Sequence, residues 1–221
     1  MSIGELKRKS KADMKNNYGF AILTMILLNL VLFGAMTLGL FIGMVLVLGA
    51  VRCCFAAFYV DVANHTRQGV DSTYRGFRQF ARALWAGVIL FLIALAVLIV
   101  MAIVSVIILG ASHADFSATA PVMSICAIIG IVIIFLIFVR LSFVFYIMNH
   151  EVDLSAVQCI RRSWALSKGM FFKIVLLNLS FIGWWLLVAI TLGAMYLYVG
   201  PYYETTRANL YLSAAGAVGN K

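Results

Sequence analysis

Charge is what this chain has least of: only 11% of its 221 residues are Asp, Glu, Lys or Arg, and only eight are acidic. A soluble domain is roughly a quarter charged and half apolar. With 64% apolar residues, this chain falls outside that class. Its four cysteines, Cys53, Cys54, Cys126 and Cys159, have no CxxC spacing and fall in predicted spans or on the cytoplasmic side. Neither a disulfide framework nor a zinc site is expected from them. No nucleophile is accompanied by a base, no glycine loop suits a phosphate, no carboxylates are paired for acid/base work, and the loops are short. An enzyme is therefore not expected, and no cofactor is implied. A cleavable signal is not expected either, because the first apolar run outlasts a signal peptide and offers no clear small-residue cleavage site.

What the chain does have is long charge-free runs. They cover residues 16–51, 83–112, 116–139 and 174–203, that is 36, 30, 24 and 30 residues. A bilayer core about 30 Å thick needs roughly 20 helical residues, so each run can cross at least once. The first would make a rod of about 54 Å and must fold back on itself. Gly34, Gly39 and Gly43 offer the break, placed between Gly34 and Gly39. Gly39 and Gly43 also form a GxxxG step that permits close helix packing.

The net charge of +9 does not signal nucleic-acid binding, because the basic residues cluster on one predicted side. Lys7, Arg8, Lys9, Lys11 and Lys15 precede the first helix. Arg67, Arg75, Arg78 and Arg82 lie between the second and third, and Arg161, Arg162, Lys168 and Lys173 surround the fourth connection. The predicted outer turns, near Gly34, at 111–118 and near 191–193, hold neither Lys nor Arg. This positive-inside bias puts both termini in the cytoplasm and makes anionic lipid the expected partner, alongside a protein partner or a second copy of the chain.

Six membrane helices are predicted, near 18–34, 38–63, 83–110, 120–148, 171–191 and 194–213, giving an all-α polytopic bundle. A basic amphipathic segment (1–17) precedes them, with Ile3, Leu6, Ser10, Met14 and Asn17 on one face, and a short cytoplasmic tail (214–221) follows. A second such segment carries Leu154, Val157, Ile160, Trp164 and Leu166; a weaker third runs over 74–85. Three hairpin units, about 1–66, 67–150 and 151–213, are thereby suggested. Lys9-Ser10-Lys11-Ala12 parallels Arg162-Ser163-Trp164-Ala165, and Arg52, Phe58-Tyr59 and Asn64-His65 parallel Arg140, Phe145-Tyr146 and Asn149-His150. Such repeats occur in transporters, and also wherever a helical bundle grows by hairpins.

The stretch Leu154-Ser155-Ala156, Ser163, Lys168-Gly169 and Leu179-Ser180-Phe181-Ile182-Gly183-Trp184 resembles a bacterial family of uncharacterised integral membrane proteins. Thr191-Leu192-Gly193, Pro201-Tyr202, Thr205-Thr206, Ala208 and Tyr211 continue the pattern over about the last 60 residues, and the N-terminal Lys-Asn-Asn-Tyr-Gly ending at Gly19 fits it too. The resemblance implies six membrane helices, a bacterial plasma membrane location and no assigned activity. It also resembles membrane domains attached to some glycerophosphodiester phosphodiesterases, which hints at lipids. Asn149-His150-Glu151 departs from the pattern, where the family often has a proline. The break at 191–193 is taken from this resemblance, since the last run could otherwise be one helix.

Chemistry concentrates in the sixth predicted helix. Glu204 would lie about eleven residues beyond the outer turn, some 16 Å down and near the bilayer midplane. An ionised group there costs a few kcal/mol unless it is paired, protonated or wet. Pro201 would kink the helix beside it, with Thr205 adding a polar group. Arg207, three residues on, can share its face, and Arg52 and Arg140 occur late in inward-running helices. Three arginines against one glutamate allow three readings: an ion pair locking the bundle, a site for an anionic head group, or a transport path coupled through Glu204. His65, His150, Asp61, Glu151 and Asp153 could hold a metal only if the repeats bring them together, and no metal site is expected. Asn29 and Asn178 are read as bonding across helix interfaces, and Trp184-Trp185 as packing or lipid contact. The expected function is a non-enzymatic accessory, scaffold or lipid-interacting membrane protein; the alternative is a small transporter using Glu204 and the Pro201 kink.

Overall fold

The computed structural model describes residues 1–15, 17–66, 74–112 and 116–219, with only the backbone described at 38–46, 75, 109–112, 116–120, 122 and 217–219. Arg67 and the centre of the expected outer loop 111–118 lie outside the described residues, as does the end of the tail. Among the described residues every regular element is helical: α1 Ile3–Met14, α2 Tyr18–Ala63, a 3-10 turn Arg75–Gln79, α3 Phe80–Ser112, α4 Phe116–Arg140, α5 Val144–His150, α6 Ala156–Lys168, α7 Phe171–Ser180, α8 Ile182–Ile190 and α9 Tyr196–Gly219.

Four helical stretches are long and apolar enough to cross a membrane: Tyr18–Thr37, Gly76–Ile108, Met123–His150 and Phe171–Ile190. The expected crossings 38–63 and 194–213 are helical but not among these four. The first includes residues 38–46, and the second carries Glu204, Thr205, Thr206, Arg207 and Asn209. α2 is helical over 46 residues, about 69 Å if straight, yet the Tyr59 hydroxyl donates to the Ala21 carbonyl at 3.2 Å. Two points 38 residues apart can meet only if the chain reverses between them. The chain therefore folds back between Ala21 and Tyr59, as expected from the length of the first charge-free run, and near Gly34 the Thr37 hydroxyl bonds the Gly34 carbonyl at 2.9 Å.

The core lies where α2 and α9 pack together beneath α1, with α5 and α6 alongside. The second limb of α2 meets α3 backbone to backbone: a Cβ on Gly49 would stand 2.1 Å from the Ala83 carbonyl oxygen. Beyond that crossing, α3 and α4 expose aliphatic residues on most faces, among them Leu92, Leu98, Val106, Ile107, Ile128 and Ile131. So large an apolar surface belongs in lipid rather than water.

Two expected helices are interrupted. The predicted 120–148 helix breaks at 141–143, between α4 and α5, and the predicted 171–191 helix is divided at Phe181. Breaking the first orphans backbone groups, and α6 supplies their partners. The Ser163 and Ser167 hydroxyls donate to the Arg140 carbonyl at 3.1 and 3.0 Å, and Ser163 Oγ accepts from the Phe143 N–H at 3.3 Å. In α6 Ala156, Cys159, Ser163 and Ser167 are buried; of the expected apolar residues Leu154, Ile160 and Leu166 pack against the core, while Val157 and Trp164 are exposed. In α1 the expected face holds, with Leu6, Ser10 and Met14 buried and Ile3 packed against the core, and Asp13 joins them. The weak segment 74–85 forms no separate helix; it is a 3-10 turn leading into α3.

α1 and α6 share one construction, 153 positions apart throughout. Ser2 and Ser155 cap them in reciprocal capping boxes with Glu5 and Gln158. Leu6 and Cys159, Ser10 and Ser163, Met14 and Ser167 form the buried rows, and the next helices begin at Tyr18 and Phe171.

Candidate functional site

α9 brings the polar residues of the sequence into the core. Pro201 lies inside the helix and has no N–H to give, and the Thr205 hydroxyl donates to its carbonyl at 2.8 Å. One turn on, the Glu204 carboxylate gathers three groups. Arg52 Nη1 of α2 stands 3.0 Å from Oε1, Arg207 Nη1 stands 3.6 Å from Oε2, and the Tyr146 hydroxyl of α5 donates to Oε2 at 3.4 Å. Arg207 also donates to the Ser142 carbonyl at 3.1 Å and stacks 5.5 Å from the Tyr203 ring centroid. The Tyr203 hydroxyl in turn donates to Asn178 Oδ1 at 2.5 Å. Two arginines against one carboxylate leave one formal positive charge.

The three side chains are not equally sheltered. Glu204 is 10% exposed and Arg207 20%, but Arg52 is 47% exposed. Arg52 faces a cavity of about 410 Å³, within the range of small-molecule sites, whose far wall is Leu90, Phe91, Ala94, Phe135 and Phe138. Arg52, Tyr203, Glu204 and Arg207 also line a second cavity of about 340 Å³, bounded by Met25, Trp185, Tyr196 and Gly200.

Of the predicted site residues, Arg52, Glu204 and Arg207 come together, with Thr205 and Pro201 serving the helix that carries Glu204. Arg140 does not join them. Its guanidinium lies 4.8 Å from the Phe171 ring centroid and 5.6 Å from that of Trp164, and its Nη1 is buried with no hydrogen-bond partner among the described residues. Gly49, one turn before Arg52, packs against Ala83 and Gly87, and Arg207 reaches Ser142. The cluster is therefore level with the residue-83 end of the charge-free run 83–112 and the residue-139 end of the run 116–139.

The two histidines are not brought together: His65 Nε2 lies 3.1 Å from Asp13 Oδ1, and His150 stacks against Tyr211. Glu151 pairs with Arg162 at 2.8 Å. Among the described residues Asn29 bonds its own helix at the Met25 carbonyl, whereas Asn178 bridges helices through Tyr203. Trp184 and Trp185 pack on the α9 tyrosines. Sequence reasoning missed Tyr146 and Ser142 as members of the cluster. Tyr146 stood out only as a repeat marker, and Ser142 takes part through its backbone, which no side-chain pattern reports. Missed as well was the buried set in which Asn209 donates to Asp13 at 2.8 Å and to Ser10 at 3.2 Å.

Fold and site together define an all-helical protein with four helices long and apolar enough to cross a membrane, and a buried ionic cluster beside two cavities. The chain belongs to the family described as "Protein of unknown function (DUF975)", which matches residues 1–217. No curated protein and no solved structure matches it.

Proposed function

We propose that this protein is a non-enzymatic, multipass membrane protein of the bacterial plasma membrane that interacts with anionic lipid on its cytoplasmic side. Its six membrane helices form three hairpins, and both termini are cytoplasmic. The observation that carries the reading is the place of Arg52: a half-exposed guanidinium at the inner end of the apolar helices, opening on an apolar cavity. Inner-leaflet head groups are anionic and attract basic side chains at that level. The basic outer faces of α1 and α6, with Arg8, Lys9, Arg161 and Arg162 exposed, support the same side. The test is native mass spectrometry of protein extracted from membranes. Retained phospholipid, enriched in anionic species over the bulk membrane, is the expected result; a lipid-free protein, or one with bulk composition, would sink the reading.

The transporter alternative rests on one observation, the second cavity on the other side of the same four residues. It requires that Glu204→Gln abolish flux of a solute while the protein stays folded.

A further inference from the structure

Resting on that lipid-interacting reading, we propose that the cavity of about 410 Å³ is a binding site for one phospholipid with a monoanionic phosphodiester head, its phosphate taken by Arg52 and one acyl chain lying between α3 and α4.

The charge argues for the head. Arg207 is committed: it contacts Glu204, donates to the Ser142 carbonyl and lies on Tyr203. Arg52 has Glu204 as the partner of one nitrogen, at 3.0 Å, and its side chain is nearly half exposed. Its planar fork can keep Glu204 on one nitrogen and offer the rest to a phosphate. The cluster's formal charge of one positive unit matches a phosphodiester, which carries one negative unit, and leaves a neutral assembly in a poorly hydrated place.

The walls argue for the chain. From Arg52 the lining continues along α3 through Gly87, Leu90, Phe91 and Ala94, each step farther from the inner end, with Phe138 and Phe135 facing from α4. Those residues follow the direction a tail takes from its head group into the bilayer. Gly87 lets α3 approach α2 closely at this end, since a Cβ there would meet the Gly49 backbone at 3.1 Å.

Glu204 then competes with the phosphate for Arg52, so two charge-removing changes must act in opposite directions. Glu204→Gln removes the competing charge and raises retention of a monoanionic lipid; Arg52→Gln lowers it. A cluster that only locks the bundle would lower stability in both variants and shift lipid in neither direction selectively.

The experiment uses the full-length protein in detergent micelles, with native mass spectrometry after titration with phosphatidylglycerol, phosphatidylethanolamine and the soluble diester glycerophosphoglycerol. Phosphatidylglycerol is expected to bind about tenfold better than phosphatidylethanolamine. Arg52→Gln should cancel that preference, and Glu204→Gln should increase it severalfold. Ala94→Phe, which touches no charge, should weaken binding by blocking the tail. Equal competition by glycerophosphoglycerol would show that only the head is read and would overturn the acyl-chain assignment. Should Arg52→Gln leave the preference intact, or both charge variants change it in the same direction, this site is not the lipid site. Anionic lipid retained undiminished by all three variants would leave general lipid interaction standing and this assignment refuted. If Glu204→Gln fails to fold, Ala94→Phe and Arg52→Gln still decide the matter.

Discussion

At the residue scale, close backbone approach sets the strictest demands. Gly49 and Gly76 sit where a Cβ would fall 2.1 Å from the Ala83 carbonyl oxygen and 2.4 Å from the Cys54 nitrogen, both backbone atoms that cannot swing aside. Gly49→Ala and Gly76→Ala are each expected to cost about 1–3 kcal/mol or more, through forced separation of α2 from α3 and from the 3-10 turn. Gly216, with nothing within 4 Å of its would-be Cβ, should tolerate alanine. Thermal unfolding in detergent checks this, and equal midpoints for Gly49→Ala and Gly216→Ala would refute it. The chemistry at this scale was partly legible. Acid and base in an apolar run are conspicuous, so Glu204, Arg207 and Arg52 could be singled out. Arg140 looked equivalent because sequence reports that a charge ends a helix, not which way it points, and two aromatic rings turned it elsewhere.

Individual elements show how a local rule and a tertiary demand can disagree. The capping serines lie at readable positions, and α1 and α6 form with the same caps. Apolar periodicity marks Val157, Ile160, Trp164 and Leu166 of α6 but is silent on the serine row, which faces inward where the broken α4–α5 junction needs hydrogen-bond partners. That junction was invisible in the sequence, whose residues 120–148 read as one apolar helix. Ser163→Ala should cost about 1–3 kcal/mol by leaving the Phe143 N–H unpaired, and Ser163→Thr should recover part of it, as read by thermal unfolding. The two caps also differ in what pH does to them. In α1, hydrogen bonds from the Ser2 backbone and side chain hold the Glu5 carboxyl below its ordinary pKa. A depressed carboxyl stabilises above the unfolded pKa, and the contribution is lost as pH falls through the folded one. Gln158 of α6 does not titrate. Acidification through the carboxylate range should therefore fray the start of α1 and spare α6. Hydrogen exchange, corrected for the intrinsic rate, would show this, and Glu5→Gln should remove the difference. Equal protection of both caps across that range would count against it.

Across the whole molecule, the helices do not extend equally far from the Arg52 cluster. From the level of the Arg52 cluster, α3 runs 25 residues from Gly87 to Ser112, about 37 Å, and α4 reaches a similar height. The hairpin of α8 and α9 rises only eleven residues from Glu204 to Gly193, about 16 Å. Its tip is apolar, with Leu192 97% exposed and Ile190 exposed beside it. Each backbone N–H from Thr191 to Tyr196 nevertheless has an acceptor within the turn. Thr191 donates to Leu187, Leu192 to Ala189, Gly193 to Val188, Ala194 and Tyr196 to Thr191 and Gly193, and Met195 to the Thr191 hydroxyl. Leu192 at φ 51° and Gly193 at φ 91° provide the left-handed steps this closure needs. A turn so satisfied can lie in lipid, where no solvent would pair with its backbone groups. Charge-free length marked where helices start and stop, and the resemblance supplied the turn at 191–193, but neither carries the level at which one helix meets another. The tip of this hairpin is therefore expected to rest below the outer surface. Single cysteines at Leu192 and Ser112, in a background lacking the four native ones, would be challenged in intact cells with a charged, impermeant thiol reagent. Labelling at Ser112 with protection at Leu192 is the expected pattern. Equal labelling of both would place the third hairpin fully across the membrane. The two outcomes also separate the functional readings, because a shallow, lipid-filled hairpin leaves the cavity beside Trp185 and Tyr196 no aqueous route outward. A transport path through Glu204 would need one.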